Sequence, residues 1–138
     1  MMDDSVHILL IEDDPAHAEL IQRAFEDRGD QSRLTIAHTL EEARTFLKSF
    51  KPTLIIADWR LPDGDSSELL SEGHSLATPP VIIMTSYGSE RNAVEAMKSG
   101  ALDYIVKSSE SMTDMPHFAE NAIKQWRISL EQERMQEA

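Results

Sequence analysis

The chain has 138 residues, 41% of them hydrophobic, no cysteine, and a formal charge of −12 at pH 7. That length suits one domain with a single core, and the missing thiols exclude disulfides, thiolate metal sites and cysteine nucleophiles, in keeping with a reducing compartment. The acidity opposes contact with phosphate backbones, so the chain alone is expected not to bind nucleic acid; no apolar run reaches the roughly 18 residues of a membrane span, and the start Met1-Met2-Asp3-Asp4 lacks signal-peptide character, so a cytoplasmic location is expected.

Short apolar runs alternate five times with amphipathic stretches, the pattern of a parallel sheet covered by helices on both faces. The first strand is expected over 6–11 and stops at Glu12-Asp13-Asp14. A helix then begins at Pro15, whose fixed φ suits the first helical position, turns Leu20, Ile21, Ala24 and Phe25 to the sheet, and ends at Gly29. Asp14, just before Pro15, reads as its N-cap. The second strand, 33–37, alternates polar and apolar residues and belongs at an edge. Thr39-Leu40-Glu41-Glu42 is a capping box opening a second helix with a buried stripe of Ala43, Phe46 and Leu47.

Leu54-Ile55-Ile56-Ala57 is an unbroken apolar strand, expected over 53–57, with Asp58 at its mouth. A helix cap does not explain Asp58, because Trp59-Arg60-Leu61-Pro62 disfavours helix until after Pro62. After Gly64 a short, weak helix carries Leu69 and Leu70, and the loop through Gly73 to Pro80 is expected to be mobile. The fourth strand, 80–85, lacks polar alternation, as in strands buried on both sides. Ser89 to Ser99 reads as a helix bearing Ala93, Val94, Ala96 and Met97, stopped by Gly100.

The fifth strand, 103–106, stops at Lys107. The last helix is expected near Pro116, with a seam of Ala119, Ile123, Trp126 and Leu130 that runs on into a mostly polar end. That end is either a frayed tail or a linker, and as an extended coil it permits a homodimer without requiring one. The expected organisation is a globular domain over 5–127 followed by a helical extension or linker over 128–138.

In an open parallel α/β sheet, ligands bind at the carboxyl ends of the strands, where the connections reverse direction. Glu12, Asp13, Asp58, Thr85 and Lys107 all close predicted strands. Taken singly, Lys107 could be a solvated surface charge and Thr85 an ordinary β-branched strand residue; together the four strand ends converge. Two carboxylates about 4 Å apart repel by roughly 4 kcal/mol at an effective dielectric near 20. Something positive must sit among these acids, and an oxygen-bound divalent cation is the simplest candidate.

This combination closely resembles the receiver domain of two-component response regulators. The matching segments are Ile8 to Pro15, Leu54 to Asp58 with Leu61-Pro62-Asp63-Gly64, Val81 to Ser86, and Ala96 to Lys107, and the resemblance spans residues 6–126. It implies a flavodoxin-like, doubly wound five-stranded parallel sheet in the order 2-1-3-4-5 with five helices. It also implies that Asp58 is the phosphoacceptor, taking a phosphoryl group from a sensor histidine kinase or phosphotransfer protein. Asp13, Asp58 and the backbone carbonyl of Arg60 would bind Mg²⁺, with Glu12 acting through water. Lys107 and Thr85 would hold the phosphate, Tyr104 would turn inward as Thr85 moves, and Arg60 and Tyr87 would slow attack by water. No enzymatic activity is implied beyond assistance to the domain's own phosphoryl transfer and dephosphorylation.

Two departures accompany the match. Most relatives have proline after the final lysine, where this chain has Ser108, so the loop is expected to differ or be looser. The segment from Lys107 through Met115-Pro116 to Trp126 looks like receivers at the head of multidomain sensor proteins, so a module of a longer hybrid kinase or regulator is an alternative. A phosphatase of the haloacid dehalogenase type needs a second Asp two residues after the first, where Arg60 stands. A flavin protein would meet repulsion from Glu12-Asp13-Asp14 at its phosphate loop. A phosphorylation-independent scaffold would not need the acidic pair, Asp58, Thr85 and Lys107 together. The five glycines are scattered and the five histidines lack metal-ligand spacing. The output partner is not specified.

Overall fold

The computed structural model describes residues 5–29, 32–71, 78–86 and 89–137. In chain order its elements are β1 (His7–Ile11), α1 (Pro15–Arg28), β2 (Arg33–Ala37), α2 (Leu40–Ser49), β3 (Leu54–Asp58), a small antiparallel hairpin of β4 (Arg60–Leu61) and β5 (Gly64–Asp65), α3 (Ser67–Ser71), β6 (Val81–Thr85), α4 (Glu90–Lys98), β7 (Asp103–Val106), α5 (Ser109–Thr113) and α6 (Met115–Glu137). The main sheet is parallel throughout, in the order β2-β1-β3-β6-β7. Counted without the hairpin, this is the expected flavodoxin-like order 2-1-3-4-5. The part of the expected 73–80 loop up to residue 77 lies outside the described residues.

Every residue of β3 and β6 is buried, because helices cover both faces of the sheet. Alternate residues of each strand feed two cores. Ile8, Leu10, Ile56 and Met84 face one, with Ile21 and Phe25 of α1 and Met115, Ala119 and Ile123 of α6. Leu9, Ile11, Ile55 and Ile83 face the other, with Leu40 and Ala43 of α2, Leu70 of α3 and Ala96 of α4. The less buried β2 lies at one edge of the sheet, as its alternation predicts, and β7, with Ile105 alone buried, forms the other.

The helix ends follow local chemistry. Asp14 Oδ1 accepts the N–H groups of Ala16 (2.9 Å) and His17 (3.2 Å), and Gly29 takes a left-handed φ of 67° to close α1. At α2, Thr39 Oγ1 accepts from Glu42 N at 3.1 Å, but Glu42 reaches back to His38 N at 2.8 Å, one residue earlier than in a regular capping box. The remaining exposed donors of that turn, Leu40 N and Glu41 N, are taken by Asp63 at 2.9 and 3.0 Å from across the sheet edge. Those backbone hydrogen bonds hold the Asp63 carboxyl below the usual carboxylate range, that to Leu40 first.

The described residues contain six helices where five were expected. The extra one, α5, lies in the segment after Lys107 that the missing proline made appear loose. Ser108 caps it, accepting Ser111 N at 3.0 Å while its own N–H goes to Ser111 Oγ at 2.9 Å. The short helix buries Met112, and α6 starts at Met115, one residue before the expected Pro116. The expected seam of α6 is buried at Ala119 and Ile123 and half-buried at Trp126 and Leu130. Among the described residues no helix is long and apolar enough to cross a membrane.

Met115 is 0% exposed in the core between sheet, α1 and α6, whereas Met135 near the end of α6 is 69% exposed. Met115→Ala should cost about 2–5 kcal/mol through lost burial and a residual cavity, and Met135→Ala no more than about 0.5 kcal/mol. Urea denaturation of the two variants checks this; equal losses would mean that the end of α6 is packed as tightly as its start.

Candidate functional site

The strand register carries five side chains to the carboxyl edge of the main sheet. β1 ends at Ile11, leaving Glu12 and Asp13 beyond it; Asp58 and Thr85 are the last residues of β3 and β6; Lys107 follows β7. Backbone pairing continues past the strands: Glu12 N donates to Ala37 O (2.9 Å), Trp59 N to Met84 O (2.8 Å) and Lys107 N to Thr85 O (2.8 Å). The site residues are therefore held by the sheet ladder itself. The chain leaves β1 through α1 to β2 on one side and returns from β2 through α2 to β3 on the other side of β1, so the acids gather where the winding reverses.

At the centre lies an ammonium shared by two carboxylates. Lys107 Nζ is 2.8 Å from Glu12 Oε1 and 3.0 Å from Asp58 Oδ2. Glu12 is fully buried and spends its second oxygen on the Asp14 N–H at 3.0 Å, while its carbonyl oxygen lies 3.1 Å from His38 Nδ1. Asp58 is 9% exposed, and Asp13 is open to solvent. One carboxylate oxygen from each of Glu12, Asp13 and Asp58 lies within 4.8 Å of the others. Asp14, by contrast, is committed to capping α1.

Three carboxylates against one ammonium leave two negative charges in a partly dry recess. Burial, followed by the charge of Glu12, pushes the Asp58 carboxyl up to about 6, and Lys107 only partly offsets this because it serves both acids. Burial by itself lowers the Lys107 ammonium, but hydrogen bonds to Glu12 and the charge of Asp58 outweigh it and hold Lys107 above its ordinary value. An all-oxygen donor set with this residual charge fits a hard divalent cation. One buried polar atom of the site is unspent: Thr85 Oγ1, on a residue 2% exposed, has no hydrogen-bond partner among the described residues.

The loop after Asp58 is fastened by two residues to which the sequence reading gave no role. Ser66, fully buried, donates its hydroxyl to Asp58 O and its N–H to Trp59 O at 2.9 Å. Asp63 ties the same loop to α2 as described above. Neither residue belongs to a periodic pattern, and the only local hint is the turn chemistry of Pro62-Asp63-Gly64. Arg60 is exposed and lies opposite Asp65 in the hairpin, so its backbone has a defined place beside Asp58. Tyr104 is 42% exposed on β7, outside the cluster of acids, and Tyr87 lies outside the described residues.

A family model described as the response regulator receiver domain matches residues 8–116. Among curated proteins, the methanogenesis regulatory protein FilR1 of Methanothrix harundinacea is 38% identical over 124 residues, which cover 87% of this chain and 28% of FilR1. The chain thus spans little more than a quarter of that relative. Among solved structures, a CheY-like response regulator receiver domain protein from Methanospirillum hungatei superposes with a TM-score of 0.76 at 26% identity, over 91% of this chain and 99% of that one. The Mn²⁺-bound form of response regulator Rcp1 gives a TM-score of 0.70 at 26% identity, over 80% of this chain and 88% of that one. With the family match covering most of its length and the sheet order and strand-end acids in agreement, the chain belongs to the response regulator receiver domains of two-component signal transduction.

Proposed function

We propose that Asp58 is the phosphoacceptor of this receiver domain and that the donor is a phosphohistidine on a sensor histidine kinase or phosphotransfer protein. The observation that carries this reading is the Asp58 carboxylate at the end of β3, held 3.0 Å from Lys107 with oxygens of Glu12 and Asp13 close by. A carboxylate oxygen of Asp58 attacks the donor phosphorus, the phosphorus–nitrogen bond breaks, and the imidazole leaves with the bonding pair. The product is an acyl phosphate on Asp58. Little covalent assistance is needed in such transfers, so the domain acts by positioning and charge neutralisation.

Glu12, Asp13, Asp58 and the Arg60 carbonyl would hold Mg²⁺, with Glu12 acting through water because its own oxygens serve Lys107 and Asp14. Bound there, the cation would neutralise the charge on the phosphoryl oxygens. The Mn²⁺ site of Rcp1 supports a divalent ion in this fold. Lys107 pairs with a phosphate oxygen once Asp58 is modified, and the unspent Thr85 hydroxyl donates to another. Phosphorylation adds about −1.5 to −2 charge, drawing the ends of β6 and β7 toward the new oxygens while Tyr104 turns inward. By resemblance to the family, Arg60 and Tyr87 would slow hydrolysis of the acyl phosphate. The receiver domain would comprise residues 5–127, with 128–138 as a helical extension or linker that permits homodimer formation without requiring it. The strongly acidic receiver leaves nucleic-acid contact to other parts of the signalling chain.

Asp58→Ala should abolish labelling by a small-molecule phosphodonor in Mg²⁺; a variant that still labels would move the acceptor elsewhere. Tyr87→Ala should shorten the phosphate lifetime, followed by loss of label after donor removal, and an unchanged lifetime would count against a shielding role.

The raised Asp58 value of about 6, against 3.8 in the unfolded chain, sets a pH dependence in metal-free protein. The native state keeps the Asp58 proton where the unfolded state has lost it, so its contribution to stability is complete below pH 3.8 and lost as pH rises through about 6. Such a gap corresponds to roughly 3 kcal/mol, and Asp58→Asn should recover about 1–3 kcal/mol of it at pH 7.5, since Lys107 loses one partner. Urea denaturation in chelator at pH 5 and 7.5 checks the difference between wild type and variant. Equal differences at both pH values would assign the proton to another group, and Mg²⁺ should stabilise the wild type alone.

A further inference from the structure

The position of the Lys107 ammonium depends on the two peptide groups that flank its α-carbon, and one hydroxyl holds both. Ser111 Oγ donates to the Val106 carbonyl at 2.7 Å and accepts the Ser108 N–H at 2.9 Å. The peptide before Lys107 is held at its other end too, because the Lys107 N–H donates to Thr85 O at 2.8 Å. Both backbone torsions of Lys107 are therefore set from outside the residue. Ser108 plays a different part: its hydroxyl accepts the Ser111 N–H at 3.0 Å, as an ordinary helix cap does. The closure also needs a residue with an N–H at 108, which the proline common at that position in the family cannot supply.

We propose that Ser111 is a positioning residue for phosphoryl transfer, acting through Lys107. Its hydroxyl closes the backbone around Lys107 and so aims the ammonium at the space beside Asp58. The proposal rests on the reading of Asp58 as phosphoacceptor and Lys107 as its phosphate partner. A lysine side chain amplifies a small backbone rotation into a displacement of its tip, and misplacements near 1 Å can cost about 100-fold in rate. Release of the Ser111 clamp is thus expected to be felt in the site and not only in the stability of α5.

The test uses the full chain and two readouts: affinity for beryllofluoride in Mg²⁺, and amide hydrogen exchange at Lys107 and Ser108 in metal-free protein. Ser111→Ala should weaken beryllofluoride binding about 10-fold and speed exchange at both amides by a similar factor, while Ser111→Thr, which keeps the hydroxyl, stays close to wild type. Ser108→Ala, which removes the cap and a longer 3.2 Å contact with Ser111 Oγ but keeps the Ser108 N–H, should lower the melting temperature yet leave the affinity within about 2-fold. Should Ser111→Ala not fold, the nearly isosteric Ser111→Cys, a weak hydrogen-bonding partner, should show the same loss of affinity. Equal affinity in wild type and Ser111→Ala, or an equal loss in Ser108→Ala, would reduce Ser111 to a helix cap and overturn the proposal. Failure of the wild type itself to take up beryllofluoride would instead overturn the phosphoacceptor reading beneath it.

Discussion

An ammonium held between two buried carboxylates is the interaction on which the site depends. Glu12, Asp58 and Lys107 come from the ends of three different strands, so the pairing exists only when the whole sheet is assembled. Removing such charges from water costs several kcal/mol per ion, and attraction repays it only where the geometry is good and other hydrogen bonds are satisfied. Glu12 meets that condition, with both oxygens engaged. Asp58 does not: one of its neighbours is a second acid, and its own ionisation is opposed. The protein thus keeps the Asp58 carboxylate in an environment that favours any incoming positive charge.

The same excess of negative charge links stability to function. A recess whose charges balanced would fold more readily and bind a cation less well. Three carboxylates around one lysine leave the site short of positive charge, a shortage that a divalent ion would meet. In the proposed reaction a phosphoryl group on Asp58 would restore negative charge beside Lys107, with the Thr85 hydroxyl, unpartnered among the described residues, as a further donor. Because Lys107 N is bonded to Thr85 O, the ends of β6 and β7 are mechanically joined. A displacement of the Thr85 backbone would therefore reach the lysine directly through this hydrogen bond.

The loops that support this arrangement use short polar side chains on backbone groups. Ser66 fastens the carbonyls of Asp58 and Trp59, Asp63 fastens the hairpin to the start of α2, and Ser111 fastens the two peptides around Lys107. Each satisfies backbone groups that a loop would otherwise leave to water. Rigid positioning at a sheet edge is thereby obtained from residues that are unremarkable when read along the chain.

The strands, their burial and the main helices were legible in the sequence, because parallel strands covered on both faces must be continuously apolar, and because Asp14, Pro15, Gly29 and Thr39 carry strong local end signals. The clustering of acids at strand ends was legible too, since each acid directly follows an apolar run. Helix α5 was not, because its reciprocal Ser108–Ser111 cap uses two serines where the usual sign is a longer acidic or amide side chain. Only the tertiary structure decided that Glu12, not Asp14, shares Lys107, that Asp63 caps a helix 22 and 23 residues away in sequence, and that Thr85 keeps a hydroxyl without a partner among the described residues. Periodicity reports which face of an element is buried, whereas these choices depend on where distant strand ends meet, and that follows from the order of the sheet.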